Sequence, residues 1–392
     1  MKASVLHVIS TMDPKAGGVC QAVRTMVKGL KYHGIRSHVV SLDDNVVRGE
    51  DDDLELIALG KGFTSWNYHA NLQDWLKIHM ASYKSVIVHG LWQYQCYAML
   101  KNMTVKSETR VYVMPHGMLD PYFQRAKGRR LKALRNQLIW MMIEQKLVSK
   151  ADGILFTCET EKVLAREAFK GYKPRQELVI GLGVEKDMEE SAVMAEEFIA
   201  KFPEIKKFGY LLFISRIHPK KGLDILLKAY LQLKAKSAKP LPQLVIAGPG
   251  LNTAYGAEVK ALATKDPDII FTDMLKGRLK WGAFYGCEAF VLPSHQENFG
   301  IAVVEALACG KPVLISDQVN IWREIKNQGG GLVNKDSLEG AEQLLLQWCN
   351  LDKEQKRLIG QEALTTYQKH FTVEEAAKKM AEALKLKNEC DA

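Results

Sequence analysis

The sequence lacks a cysteine framework, a long apolar run and any low-complexity segment. Its seven cysteines are an odd number, are scattered, and include no C-x-x-C pair. This argues against a disulfide scaffold or a zinc site and favours a reducing, cytoplasmic location. No stretch reaches the roughly 18 apolar residues of a membrane-spanning helix. The apolar run at the N-terminus is too short for a secretory signal and is typical of a strand.

Glycine and proline are neither scarce nor enriched, with 29 and 12 residues among 392. This excludes collagen-like and disordered chains. The length suits two domains at roughly 150 residues each.

Charge of one sign is only mildly in excess, with 54 Lys and Arg against 45 Asp and Glu. The net charge of +9 suits a phosphate-bearing ligand, an anionic membrane or a nucleic acid. One basic cluster, residues 124–150, carries Leu131, Leu134, Leu138 and Met142 at helical spacing. It is predicted to be a basic amphipathic helix. Either it lies on anionic lipid, or its apolar stripe packs on its own domain.

Short apolar runs alternate with helical periodicity along most of the chain. The predicted strands are 5–9, 38–42, 85–88, 110–114, 153–157, 178–180, 210–214, 244–247, 268–272, 289–292 and 312–315. This alternation predicts an α/β fold with parallel sheets covered on both faces. Ligands of such sheets bind beyond the carboxyl ends of the strands, and two such domains place a cleft between them.

Residues 185–207 show no strand pattern and are predicted to be a connector. The predicted domains are residues 1–190 and 191–370. Residues 371–392 contain a Glu/Ala/Lys-rich helix that is expected to cross back to the first domain.

The most specific motif runs from Pro293 to Gly310. A strand leads into a loop with Glu297, and a helix then begins near Gly300 and includes Glu305. Free backbone N–H groups at that helix start suit a phosphate or a sugar edge, and the two carboxylates can accept hydrogen bonds from hydroxyls. The alternative is that Glu297 only caps the helix and Glu305 is a surface charge.

A second motif follows the first strand of the second half. Arg216 and Lys221 lie five residues apart on a strand-to-helix loop. They can converge on one diphosphate, with the arginine as a planar fork and the lysine as a point charge. A solvated basic loop is the alternative.

Two further motifs lie in the first half. Gly17 and Gly18 allow close approach of the backbone to a ligand at a helix start, although they do not form the G-x-G-x-x-G of a dinucleotide site. His116, like His89, precedes a glycine at the carboxyl end of a strand, from where it can reach a sugar hydroxyl. An ordinary turn and structural histidines are the alternatives.

Together these motifs resemble the retaining glycosyltransferases of family 4, the glycosyl transferases group 1, over nearly the whole chain. The resemblance rests on the Glu297-x7-Glu305 spacing, the Asn298-Phe299-Gly300 insert and the Arg216…Lys221-Gly222 pair. It implies the GT-B architecture, in which two Rossmann-like domains face each other. The first domain then binds the acceptor and the second binds the nucleotide sugar.

By this resemblance, Arg216 and Lys221 hold the donor diphosphate, Glu297 binds the donor sugar and Glu305 binds the ribose. His116 lies beside the reacting sugar and completes the expected catalytic group with Glu297, Lys221 and Arg216. The other expected donor-binding residues are Gly17, Gly18, Gly248, Pro249, Leu275, Asn298, Phe299, Gly300 and Ile301.

The resemblance further implies a retaining hexosyltransferase that uses no metal and no cofactor beyond its donor. Family frequency favours UDP-glucose as that donor. The expected acceptor is a saccharide or lipid-linked saccharide of envelope or exopolysaccharide synthesis. The aromatic cluster of residues 63–75 could stack on it; the alternative is that these aromatics are half-buried members of the core. The expected location is the cytoplasm, peripheral on the inner face of the membrane if residues 124–150 bind lipid.

Two other classes of function stay open. One is a sugar-nucleotide epimerase or phosphorylase of the same architecture. The other is a basic nucleic-acid-binding protein, which is disfavoured because no reader motif is present and few aromatics interleave the basic residues.

Overall fold

The structure is a computed structural model that describes residues 4–44, 54–103, 108–125, 130–186, 191–205, 209–237 and 240–386. The chain divides into a first unit, residues Met1–Gly183 with Thr372–Ala392, and a second unit, residues Val184–Phe371. The first unit therefore ends somewhat before residue 190, the limit drawn from the sequence.

A parallel sheet forms the centre of the first unit. Its strands are β1 (Val5–Val8), β2 (Ser37–Ser41), β3 (Glu55–Ala58), β4 (Ser85–His89), β5 (Arg110–Met114), β6 (Gly153–Phe156) and β7 (Glu177–Val179). Within the described residues, these seven strands are ordered β3-β2-β1-β4-β5-β6-β7. The helices that precede the second unit are α1 (Gly18–Tyr32), α2 (Ala70–His79), α3 (Tyr94–Asn102), α4 (Tyr122–Arg125), α5 (Arg130–Ile139), α6 (Gln145–Lys150) and α7 (Glu159–Ala168).

The second unit repeats this plan. Its helices are α8 (Ser191–Lys201), α9 (Leu223–Lys236), α10 (Ala254–Ala263), α11 (Gly277–Gly286), α12 (Ile301–Ala308), α13 (Trp322–Gln328), α14 (Leu338–Asn350) and α15 (Lys353–His370). Its strands are β8 (Tyr210–Ile214), β9 (Gln243–Ala247), β10 (Ile269–Phe271), β11 (Ala289–Leu292), β12 (Val313–Ser316) and β13 (Gly331–Asn334). In the described part of the chain, the six strands are parallel in the order β10-β9-β8-β11-β12-β13.

The strands are apolar because helices cover both faces of each sheet. In β8, Leu211, Leu212 and Phe213 are fully buried. In the first unit, Leu6 of β1 packs into the larger core cluster, whereas Ile9 packs in a cluster with residues of α1. The structure thus confirms the α/β class of the fold.

Both strand orders reverse at one point, between β1 and β4 in the first unit and between β8 and β11 in the second. All strands of a parallel sheet end at the same edge. Where the order reverses, the connections leave in opposite directions and open a crevice for a ligand. A ligand-binding site is therefore expected in the loops that follow β1, β4, β8 and β11.

The largest difference from the sequence prediction is α8, because residues 185–207 were predicted only to be a connector, with no helix assigned to them. Its Phe198 is fully buried, and α8 packs closely on α11. A Cβ at Gly282 of α11 would overlap the carbonyl oxygen of Met194. β3 and β13 were also not predicted from the sequence. Both are short edge strands of partly exposed residues, which carry a weaker apolar signal.

The C-terminal helix α16 (Val373–Ala383) returns to the first unit, as predicted. It packs on α1, where a Cβ at Gly29 would lie only 2.8 Å from the Cβ of Ala377. After the helix, Leu384 accepts a hydrogen bond of 3.3 Å from Arg110.

The described parts of the basic segment, residues 124–125 and 130–150, are helical but do not form one continuous α-helix; residues 126–129 lie outside the described residues. A π-helical stretch, Trp140–Glu144, joins α5 to α6. The predicted apolar stripe points to solvent, with exposed fractions of 85% for Leu131, 60% for Leu134, 47% for Leu138 and 60% for Met142. The stripe is thus not the face by which this segment packs on its own unit. In the described ranges, no helix combines the length and the apolar content that crossing a lipid bilayer requires.

Glu144 ends the π-helical stretch with a carboxyl group that is fully buried. It accepts a hydrogen bond of 2.8 Å from the backbone N–H of Trp92. Burial raises the pKa of Glu144 from 4.5 to about 7. The folded state therefore favours the protonated acid, which costs stability once the pH exceeds 4.5 and costs most above pH 7.

We predict that Glu144→Gln raises the stability of the chain at pH 8 by up to about 3 kcal/mol and has little effect at pH 4.5. The urea midpoint of unfolding at the two pH values measures this. Glu167→Gln, at an exposed position in the same unit, is the control for the loss of one carboxylate. An equal shift at both pH values would contradict an ionised, buried Glu144.

Candidate active site

The loops after β8 and β11 meet at the switch point of the second unit. The first forms a 3₁₀ turn, Pro219–Lys221, which ends at Gly222 in the left-handed conformation with φ +68°. A Cβ at Gly222 would overlap the carbonyl oxygen of Pro293, so only glycine lets the two loops approach this closely. The N–H of His295 then donates to the carbonyl of Lys220 at 2.8 Å.

This junction places Lys221 against Glu297. The two side chains form an ion pair, with 10% of the lysine and 20% of the glutamate side chain exposed. Glu297 is also fixed through its backbone, because its N–H donates to Gln318 at 2.9 Å and its carbonyl accepts from Asn320 at 3.0 Å. The carboxylate thus lies between the loops after β8 and β12.

The start of α12 lies in the same loop. Gly300, with φ +77°, is its N-cap residue. The N–H groups of the first helical turn, at Ile301 and Ala302, have no acceptor within the helix. Together with the helix dipole they favour an anion or a polar oxygen at this position.

The Lys221–Glu297 ion pair has no net charge, and Arg216, on the same loop as Lys221, supplies a further positive charge. Its side chain is exposed and forms no ion pair within the described residues. Glu305, one turn into α12, is paired instead with Lys280 of α11 at 2.7 Å. Lys280 also lies 4.5 Å from the ring centroid of Trp281. Since both glutamates have lysine partners, Arg216 is the excess cation of this group.

Lys280 could not be predicted from the sequence, because its contact with Glu305 joins two helices and no local pattern marks it. The same holds for Gln318 and Asn320, which fix Glu297 from the loop after β12. Lys221, by contrast, could be found from the sequence. It precedes Gly222, a position where the structure requires glycine, and this glycine can be seen in the sequence.

The loops after β9 and β10 complete this edge of the sheet. Gly248 donates its N–H to Asp273 at 2.9 Å, and Pro249 accepts from Ile217 at 2.8 Å. A Cβ at Gly248 would overlap the carbonyl oxygen of Ser215.

Not all predicted residues of the second unit offer a side chain to a ligand. Leu275 is 9% exposed and Phe299 is 4% exposed. The ring of Phe299 packs edge-on against Phe371 at 5.7 Å, so only its backbone is available. Asn298 is partly exposed, and its Oδ1 accepts from Asn320 at 3.3 Å.

The remaining predicted residues, Gly17, Gly18 and His116, belong to the first unit. Gly17 has φ +98° and precedes α1, with open space where its Cβ would be. His116 follows β5 with the unusual φ of +51°. Its Nε2 lies 2.9 Å from Nδ1 of His89, whose Nε2 lies 2.9 Å from Nδ1 of His7.

A polar cavity of about 610 Å³ opens in the first unit beyond β1 and β2. Its floor includes Asp43, which accepts from the Thr11 hydroxyl at 2.6 Å, the Met12 N–H at 2.8 Å and the Ser41 hydroxyl at 2.6 Å. Asp13, Asp44 and Lys61 also line it.

The aromatic cluster predicted to meet an acceptor borders the same region. Its Trp66 packs on Tyr94 at 5.2 Å, whereas Phe63 is 68% exposed and Tyr68 is 43% exposed. In the described part of the chain, no group of three or more His, Cys, Asp or Glu residues is arranged to hold a metal ion.

A known family matches most of the second unit. Residues 194–364 match the family Glycosyl transferases group 1. A D-inositol 3-phosphate glycosyltransferase of Geodermatophilus obscurus is 28% identical over 184 residues, 44% of this chain and 39% of that protein. An uncharacterized glycosyltransferase of Methanocaldococcus jannaschii is 29% identical over 144 residues, 35% of this chain and 36% of that protein. The chain thus spans less than half the length of these relatives.

Solved structures resemble the chain over nearly its whole length. Sucrose-phosphate synthase from Thermosynechococcus elongatus superposes with a TM-score of 0.75, 18% identity and coverage of 97% of this chain and 98% of that one. HepE from Anabaena, solved with UDP and glucose, superposes with a TM-score of 0.75 and 16% identity. The match covers 98% of this chain and 99% of that one. At these identities the likeness establishes a shared fold, that of the GT-B glycosyltransferases.

We predict that Gly222→Ala destabilises the second unit by about 1–3 kcal/mol more than Gly329→Ala does. Both glycines have φ near the left-handed region, at +68° and +84°, so both variants carry the same kind of backbone strain. Only at Gly222 does the new Cβ meet a carbonyl; at Gly329 it meets Glu362 at an ordinary 3.6 Å. Urea unfolding measures the difference, and equal losses would argue against the tight junction of the two loops.

Proposed function

We propose that this protein is a glycosyltransferase that takes a hexose from a nucleotide diphosphate sugar, because residues 194–364 match the family Glycosyl transferases group 1. The carrying observation is the Lys221–Glu297 ion pair between the loops after β8 and β11, with Arg216 on the first of these loops and the start of α12 following the second. These groups match the parts of such a donor, since cations and free N–H groups suit the diphosphate and a carboxylate suits sugar hydroxyls.

Charge balance explains how this group would respond to the donor. Arg216, Lys221 and Glu297 together carry one net positive charge. A diphosphate arriving at the start of α12 competes with Glu297 for Lys221. The carboxylate released from that ion pair is then available to accept hydrogen bonds from the sugar.

The chemical step needs stabilisation of the charge that grows on the leaving diphosphate. Arg216 and Lys221 would supply it in a partly buried site, where fixed charges act more strongly than in water. We propose that these cations do the work that a metal ion does in other transferases. The departing phosphate oxygen would take the proton of the acceptor hydroxyl on the same face, so that the anomeric configuration is retained.

UDP-glucose is the donor we propose. Family frequency suggests it, and HepE, which shares the fold, has been solved with UDP and glucose. The carboxylate of Glu305 would bind the ribose after its ion pair with Lys280 breaks, or while it still contacts Lys280. The loop of Gly248 and Pro249 would flank the base.

The acceptor we propose is a saccharide that binds the first unit at the cavity beyond β1 and β2. Its lining combines carboxylates with hydroxyl and amide groups, and these suit sugar hydroxyls. Three aspartates against one lysine, Lys61, disfavour a phosphate at the same place. A lipid-linked saccharide of envelope synthesis would fit the exposed apolar stripe on α5, which could rest on an anionic membrane.

A panel of UDP-, GDP- and ADP-sugars with EDTA present tests the donor site. We predict that one donor releases its nucleotide diphosphate and that Lys221→Met lowers kcat/KM by about 10²–10³-fold, the scale of one lost oxyanion donor. Lys234→Met is the control, because Lys234 is ion-paired with Asp266 and Asp268 on the same unit, away from these loops. Equal activity of the two variants would contradict the role of Lys221 in binding the donor diphosphate.

The same panel separates the other functions. Conversion of a donor into its epimer without acceptor would indicate an epimerase, and phosphate-dependent cleavage would indicate a phosphorylase. Salt-dependent binding to nucleic acid, with no effect of any donor, would revive the nucleic-acid function.

Vesicle flotation tests the membrane surface. We predict binding to vesicles containing anionic lipid, weakened by salt and by the double change Leu131→Ser with Leu134→Ser. The control is Leu346→Ser with Leu358→Ser, two exposed leucines of the second unit. Equal binding by both double variants would show that α5 is not the surface used.

A further inference from the structure

Three histidines form a hydrogen-bonded chain across the first unit's switch point. His7 lies within β1, His89 ends β4, and His116 follows β5, three strands that are neighbours in the sheet. The rings stack at centroid distances of 5.1 Å and 5.2 Å. His7 and His89 are fully buried, whereas His116 remains partly exposed at the carboxyl edge.

The backbone holds the exposed end of this chain in one position. His116 has the left-handed φ of +51°, a conformation that costs energy for a residue with a Cβ. The carboxylate of the buried Glu161 accepts from the N–H of the next residue, Gly117, and from Thr157. The strained loop is therefore fixed by its neighbours, which is typical of functional positions.

All three rings are neutral near pH 7. Burial lowers the pKa of His7 to about 3 and that of His116 to about 4, and the pKa of His89 also lies well below its usual value. Each ring then has one N–H, and each of the two hydrogen bonds needs one proton. Only two arrangements meet both conditions.

In the first arrangement, His7 donates to His89, His89 donates to His116, and His116 is protonated at Nδ1. In the second arrangement every bond is reversed, so that His116 Nδ1 is a bare base and His7 carries its proton at Nε2. Within the described residues, His7 Nε2 has no hydrogen-bond partner. The second arrangement would bury an N–H donor without an acceptor, which is rarer in proteins than an unpaired acceptor.

We propose that His7 and His89 are positioning residues that hold His116 in the Nδ1–H tautomer, so that His116 is a neutral hydrogen-bond donor toward substrate and not a general base. The role toward substrate rests on the proposed function, and the tautomer does not. The substrate partner would be an oxygen that gains negative charge during transfer. A base role would need a free lone pair on the exposed nitrogen, which this tautomer lacks.

Nitrogen-15 NMR of the imidazole groups in the full-length chain reads the tautomer directly. We expect His116 to be protonated at Nδ1 and not at Nε2 at pH 7, and to stay neutral down to about pH 5 because of its low pKa. His116→Gln assigns its signals among the ten histidines. An Nε2–H tautomer, or protonation near pH 6.5, would overturn the proposal.

Variants at His89 test the cause. His89→Asn keeps an N–H donor near the position of Nδ1 and should preserve the His116 tautomer, whereas His89→Leu removes the donor and should give a tautomer mixture. His38→Asn is the control, since the His38 ring binds Tyr83 and Glu55 instead. An unchanged His116 tautomer in folded His89→Leu would contradict the role of His89. If His89→Leu does not fold, the wild-type and His89→Asn spectra still decide the tautomer.

Kinetics add a readout that a merely structural role would not move. We expect His89→Leu to lower kcat for sugar transfer about 10–100-fold with donor KM within about twofold, and His89→Asn to recover most of the loss. Equal losses in both variants would overturn the positioning role. A wild-type chain with the Nδ1–H tautomer but no transferase activity would instead refute the proposed function and leave the tautomer assignment standing.

Discussion

The candidate donor site depends on the contact between the loops after β8 and β11. Those strands are neighbours because the order of the sheet reverses there, and the contact itself requires a residue without a Cβ at position 222. A lysine from one loop and a glutamate from the other thereby become an ion pair. The exposed Arg216 lies on the first of these loops, and α12, which carries the paired Glu305, follows the second. Backbone geometry at one glycine thus sets the electrostatics of the edge.

Much of the fold could be predicted from the sequence, because fully covered parallel strands leave continuous apolar runs. β5, β8 and β11 lie where the sequence predicted them, and α16 returns to the first unit as expected. The failures have a common cause. β3 and β13 are edge strands with partly exposed residues, and α8 is defined by packing on α11 that no local pattern records. The π-helical stretch before α6 was not predicted either.

The candidate site was predictable in its residue types and less so in its contacts. Lys221 and Glu297 were singled out separately, and the structure brings them together. Glu305 was assigned a ribose, yet in this structure Lys280 from another helix is its partner. Gly17 and Gly18 were grouped with the donor residues and lie in the first unit, where the predicted domain limits had placed them. His7 lies inside an apolar strand. Nothing in the sequence there indicates that it is hydrogen-bonded through His89 to His116 at the carboxyl edge of the sheet. Sequence patterns identify chemistry at strand ends well, whereas pairings between distant elements emerge only after folding.

The return of α16 to the first unit has a consequence for biosynthesis. Domains generally fold as they emerge from the ribosome, the N-terminal one first. Here α1 obtains the helix that covers Gly29 only after the entire second unit has been translated. The nascent first unit must therefore wait with part of its surface uncovered while nearly two hundred residues are added. During this interval the uncovered surface of the first unit would be available to chaperones. A ribosome that stalls before α16 is made would release a chain whose first unit lacks this helix.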